Sequence, residues 1–144
     1  MVGTAIDKVE LVELCARFDL AIDSNDIEAY VSLWTENPVM EMDGTTARGQ
    51  EALRAFFVEH VKTLGHGRRH LSLNHVVLSI EGDSATATSY MVVIEAEKAP
   101  AVVASGVYSD TLQRVDGRWK FARRKLDVDR GLQAASATNT GGSA

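Results

Sequence analysis

Cysteine is almost missing from this chain: its 144 residues contain one, Cys15. A single thiol excludes an internal disulfide and any cysteine-based zinc cage, and it suits a reduced, cytoplasmic setting. Proline is nearly as scarce, and its two occurrences, Pro38 and Pro100, both fall at breaks in the pattern. No apolar run approaches the roughly 20 residues that cross a bilayer, and the first ten residues are polar and charged, so neither a membrane partner nor a secretory signal is expected. Positive charge is not in excess. The formal net charge is −5, and the basic residues gather only in short groups, Arg68–Arg69 and Arg123–Arg124–Lys125, which argues against a nucleic-acid partner. Phosphate loops, "G-x-G-x-x-G", "G-x-S-x-G" and "H-x-H" are all absent. His66, His70 and His75 lie close in sequence, but in a regular strand His70 and His75 point to opposite faces, so a zinc site is not expected. Chemistry without a cofactor is what these absences leave.

The chain is rich in ordinary globular material, 45% hydrophobic and 24% charged. Its length suits one domain, placed at residues 1–130, and the small polar end, residues 131–144, reads as a flexible tail. Residues 6–23 form an amphipathic helix, with Leu11, Leu14, Cys15, Phe18 and Ile22 on one face. Asn25 followed by Glu28 reads as a capping box for a second helix, "DIEAYVSLW", which Pro38 ends. A short extended piece, "VMEMDG", precedes a third helix, "GQEALRAFFVEHVKTLG".

Beyond residue 69 the apolar period shifts to alternation. "HLSLNHVVLSI" and "SATATSYMVVIEAE" flank Gly82–Asp83; "AVVASGVYSDTLQRV" and "RWKFARRKLDVD" flank Asp116–Gly117. Three helices followed by four long antiparallel strands, with one short early strand, make an α+β fold. Helices too few to cover such strands leave a cone-shaped pocket suited to a small ligand. The strands' convex face is left to a second or third copy, so a homodimer or homotrimer is expected.

The order of "RHLSLN", "GD-A-A", "G-Y-D" and "DGRWKFARR" behind this helical start resembles the SnoaL-like branch of the NTF2-like superfamily over residues 6 to 130. The resemblance implies an NTF2-like cone: three N-terminal helices packed on a strongly curved, mostly antiparallel sheet enclosing a pocket. It does not specify a reaction, since relatives include scytalone dehydratase, bile-acid dehydratase, polyketide cyclases, ketosteroid isomerase, lindane dehydrochlorinase and binding proteins.

His70, Ser72 and Asn74 share one strand face, and the resemblance points that face into the pocket, where a histidine can abstract a proton beside a carbonyl or leaving group. Asp23, at the end of the first helix, matches the aspartate of relatives with an Asp–His dyad and would set the histidine's tautomer. Asp19 lies one turn earlier, so the two carboxylates project from neighbouring positions, and the resemblance implies that it corresponds to a second acid found next to an aromatic residue in scytalone dehydratase. Phe18 departs from the dehydratase pattern, which has tyrosine there, so dehydration by the familiar constellation is in doubt while Asp–His proton abstraction is not. Asn74 and Tyr108 are candidate hydrogen-bond donors, and Trp34, Met40, Met42, Phe57 and Val93 are candidate apolar walls. Asp110 is expected to pair with an arginine of "FARRKLD". Arg123, sharing a face with Trp119 and Phe121, or else Arg124, would polarise a leaving group. The expected activity is cofactor-independent elimination, isomerisation or cyclisation of a small hydrophobic or polycyclic molecule. The alternatives are a non-catalytic ligand-binding protein and an accessory subunit resembling the small subunits of ring-hydroxylating dioxygenases.

Overall fold

Thr4 starts the first helix, α1 (Ala5–Asp23), with a capping box: its hydroxyl accepts from the Asp7 backbone N–H, and the Asp7 carboxylate accepts from the Thr4 backbone N–H. The computed structural model describes residues 3–129; the expected tail at 131–144 lies outside the described residues. α2 (Ile27–Ser32) is capped by Asp26, which accepts from the Ala29 N–H, and not by Asn25. Asn25 instead takes a left-handed conformation, φ 53°, that turns the chain between the helices, a role asparagine tolerates.

α2 also ends earlier than the proline suggested. Leu33 caps it, and β1 (Trp34–Met42) already runs through Pro38, where the register shifts between Trp34 and Val39. Proline is admitted there because the irregularity asks nothing of its missing N–H. β2 (Thr45–Arg48) returns as a hairpin, and α3 (Gln50–Leu64) follows. β3 (Arg68–Glu81), β4 (Ser84–Glu95), β5 (Ala101–Val115) and β6 (Arg118–Val128) then form the antiparallel meander read from the sequence.

The sheet order is β2-β1-β6-β5-β4-β3, with β1 parallel to β6. The sheet is thus mixed, one parallel pairing among antiparallel ones, and the helices lie against one side of it. The core between them is aromatic. Phe18 of α1 stands at its centre, 5.1 Å from the Tyr30 ring, 5.6 Å from Phe121 and 6.0 Å from Tyr108. Among the described residues no helix is long and apolar enough to cross a membrane.

Two bulges decide which side chains reach that core. Between Leu73 and Val76, β3 carries an extra residue, and Asn74 has φ 55°. The bulge reverses the alternation, so His75 points to the same side as His70, against the expectation of opposite faces. In β6 the partner register jumps from Leu112↔Phe121 to Thr111↔Arg123, which leaves Ala122 as the extra residue. Trp119 and Phe121 point inward before it; Arg124 and Leu126 do so after it. Arg123 therefore does not share the face of Trp119 and Phe121. It lies outside, where it pairs with Glu41 at 2.5 Å.

Candidate active site

Four residues along α1 rise about 6 Å, and two residues along β3 rise nearly the same, about 6.6 Å. Asp19 and Asp23 on the helix therefore keep step with Ser72 and His70 on the strand. The match produces two rungs. In one, Asp23 Oδ1 lies 2.7 Å from His70 Nδ1, and both carboxylate oxygens accept from the His70 backbone N–H, at 3.2 and 3.1 Å. In the other, the Ser72 hydroxyl donates to Asp19 Oδ2 at 2.6 Å.

An ionised carboxylate can only accept, so a proton sits on Nδ1, and in the neutral imidazole the lone pair is then on Nε2. The His70 side chain is 3% exposed and that of Asp23 16%. His70 Nε2 is buried and has no hydrogen-bond partner among the described residues; the same is true of Asp19 Oδ1 and the Tyr30 hydroxyl. Burial raises the Asp19 carboxyl above the ordinary carboxylate range; Ser72, Arg124 and His70 oppose the rise and Asp23 adds to it.

Arg124 is the buried arginine of the pair left open by the sequence. Its guanidinium donates to both oxygens of Asp110, at 2.9 and 3.4 Å, and lies 3.5 Å from the Tyr108 ring centre and 4.3 Å from that of Phe18. Removing one partner of such a pair typically costs about 3–5 kcal/mol, so this contact holds the floor of the site in place. Arg124 Nη1 is a further buried nitrogen without a partner among the described residues.

Phe18, Met40, Met42, Phe57 and Tyr108, five of the residues expected to line a pocket, do surround a common chamber, together with Tyr30 and His60. The chamber is small, about 10 Å³, because the aromatic rings fill it; that is room for about one water. Met42 and Leu126 also line an open groove of about 430 Å³ beside the β1–β2 turn, so they stand between the chamber and the outside. Val93 is buried and directly opposite His70 in the β3–β4 register. Trp34 packs on Tyr30 and Phe121 behind the chamber and does not line it. Asn74 sits exposed on its bulge and is not brought to the site.

His60, Tyr30 and Ser72 were not picked out from the sequence as site residues. His60 stacks on Phe56 and its ring lies 5.8 Å from that of His70. Burial, with His70 adding to it, pushes His60 down to about 4. Ser72 was legible as a neighbour of His70 on one strand face. Tyr30 carried no such signal, since its inward direction depends on where α2 docks. No group of three or more histidine, cysteine or acidic side chains is arranged to hold a metal among the described residues.

The model of the SnoaL-like domain family matches residues 3–125. Among solved structures, a protein of unknown function with a cystatin-like fold from Nostoc punctiforme is 32% identical; the match covers 90% of this chain and 96% of that one, with a TM-score of 0.84. A protein of unknown function from Mycobacterium tuberculosis is 34% identical over 88% of this chain and 78% of its own, with a TM-score of 0.78. An NTF2-like protein from Novosphingobium aromaticivorans is 30% identical over 92% and 88%, also at 0.78. No curated protein matches the sequence.

Proposed function

The chain belongs to the SnoaL-like domain family, and on that premise we propose that it is a cofactor-independent enzyme in which His70, oriented by Asp23, removes a proton from carbon beside a carbonyl group of a small hydrophobic molecule. One observation carries the reading: the 2.7 Å contact at His70 Nδ1 leaves a buried basic nitrogen, Nε2, with no partner among the described residues. Histidine held in one tautomer by a carboxylate, away from water, can act as a general base through its free ring nitrogen. Tyr30, a buried hydroxyl on the chamber wall, is a donor for the oxygen on which negative charge gathers as the proton leaves. A lyase or isomerase follows from the same step, according to whether a leaving group departs or the proton returns to another carbon. We place this chemistry in the cytoplasm, where the lone thiol of Cys15 stays reduced.

Entry of a ligand needs the chamber wall to part, and methionine at position 42 suits that, being unbranched and adaptable. The test is deuterium wash-in α to the carbonyl of cyclohexanone and β-tetralone in D₂O, followed by NMR. Wild type should exceed the buffer rate, and His70→Gln should lose roughly 10²-fold or more of the excess. Asp23→Asn should lose most of it as well, since the amide no longer selects the tautomer. Binding of these ketones with no exchange above buffer would instead support a ligand-binding protein without turnover.

A further inference from the structure

The chamber around Phe18 holds about 10 Å³, too little for any organic ligand, while an open groove of about 400 Å³ lies next to it. Ile22 and Asp23 of α1 form one side of that groove, and Val61, Lys62 and Leu64 of α3 form the other. Ile22 also lines the chamber, as do Phe56, Phe57 and His60 of α3. The C-terminal half of α3 is therefore a partition: one side of it closes the chamber and another walls the groove. Displacing it joins the two spaces into one of the size that small-molecule sites have, about 300–1,000 Å³.

The walls of the chamber differ in how they are held. Met40 and Met42 stand on β1 and Leu126 on β6, two strands paired in register, so the sheet fixes their backbones. Phe18 and Ile22 stand on α1, which is bonded to β3 through Asp19 and Asp23 and to β5 and β6 through Asp7. α3 has its polar ties near its start. The Gly49 N–H donates to the Pro38 carbonyl, the Gln50 amide to that of Glu36, and Arg54 pairs with Glu28. Over residues 56–64 no side chain hydrogen-bonds or ion-pairs with another element among the described residues, and Phe57 alone is fully buried. Packing is what holds this half. It ends at Gly65, whose φ of 72° and open surroundings leave it free to turn. Phe56 and His60 stack, ring centres 5.8 Å apart, and so move as a pair; moving them uncovers His70, whose ring lies 5.8 Å from that of His60.

We propose that residues 56–64 are the door of this site, hinged at Gly65, and that a ligand enters along the groove beside Asp23 and is enclosed when the helix returns. This rests on the chamber being the ligand site, as read above, and adds the route and the moving part. Met42 turns aside at the far rim, but the strand that carries it stays where it is. Closure brings three ring-bearing side chains of α3 back over the ligand and shuts water out.

Thiol labelling with iodoacetamide reads the door without any turnover, so the result does not depend on His70 being a base. Met40→Cys places a thiol on the chamber wall at a position 2% exposed. The native Cys15, buried beside Arg124 and outside the chamber lining, reports opening of the whole fold. The introduced thiol should label about tenfold or more faster than Cys15, at a rate that urea below the unfolding transition does not change. Gly65→Ala strains the closed helix end and should raise that rate about fivefold or more. Gly44→Ala, as strained at φ 77° but in the β1–β2 turn beside Met42, should leave it unchanged. Labelling of both thiols at one urea-dependent rate overturns the door, since the chamber then opens only by unfolding. A gain from Gly44→Ala, or none from Gly65→Ala, puts the moving wall elsewhere and overturns it too. Should Met40→Cys fail to fold, His60→Cys carries the same comparisons.

Discussion

His60 sits at the junction of chemistry and stability. Its ring is packed between Phe56 and the neighbourhood of His70, and it is held down to about 4 against an ordinary 6.5. With the folded value below the unfolded one, the unfolded chain binds the extra proton first, so stability is whole above about pH 6.5 and is lost as pH falls toward 4. In His60→Phe, which keeps the stack on Phe56, that part of the acid sensitivity should vanish. Urea unfolding at pH 7 and pH 4 should show wild type losing on the order of 2–3 kcal/mol more than the variant between them. Equal losses would mean that His60 is solvated in the folded protein. At the same scale, Asp23 and His70 could be paired on paper because the family likeness put a dyad aspartate at position 23 and the two residue types are complementary. Asp19 and Ser72 could not, since serine and aspartate bond to many things and their meeting depends on how α1 lies along β3.

At the scale of the element, the determining features are bulges. Asn74 holds φ 55°, a conformation that most side chains occupy only with strain. Asn74→Gly should be close to neutral, and Asn74→Val should lower the unfolding free energy by about 1–2 kcal/mol. Thermal or urea unfolding checks both; a tolerated valine would mean that the bulge relaxes without it. Helix and strand types were legible because apolar periodicity reports which sides of an element are buried, and the two tight turns, Gly82–Asp83 and Asp116–Gly117, are marked by residues that tolerate positive φ. The early strand pair was less so. β1 opens at Trp34, inside what looked like helix, and runs across Pro38, because its pairing with β6 from the far end of the chain outweighs the local preference.

Across the whole molecule, the outer face of the sheet is free of charge along its β3–β4 side, between Arg69 and Glu81. Leu71, Leu73, Val76 and Leu78 of edge strand β3 and Tyr90 of β4 are exposed, and Leu73 and Tyr90 are direct cross-strand partners. Between Arg69 and Glu81 no charged residue other than the inward-turned histidines interrupts β3. We propose that a second copy of this chain covers the face. A net charge of −5 makes two copies repel, and a surface without charge is where they can meet with least repulsion. Light scattering behind size exclusion should give a multiple of 15.6 kDa. Leu73→Glu combined with Leu78→Glu should return it to that mass without loss of secondary structure, and a wild-type monomer at micromolar concentration would sink the idea.

Composition, period and turn residues by themselves determined the α+β class and the order of the helices and long strands, because each is written in local pattern; that Asp23 should meet His70 was implied by a family likeness that spans the chain. Tertiary structure alone decided that Arg124 and not Arg123 is buried, that His75 turns inward, that Asn74 stays out and that Asp19 meets Ser72. The reason is geometric. A strand's alternation names two faces but not which is the inner one, and a single extra residue at Asn74 or Ala122 exchanges them; such a residue becomes visible only once the partner strand is in place to be counted against.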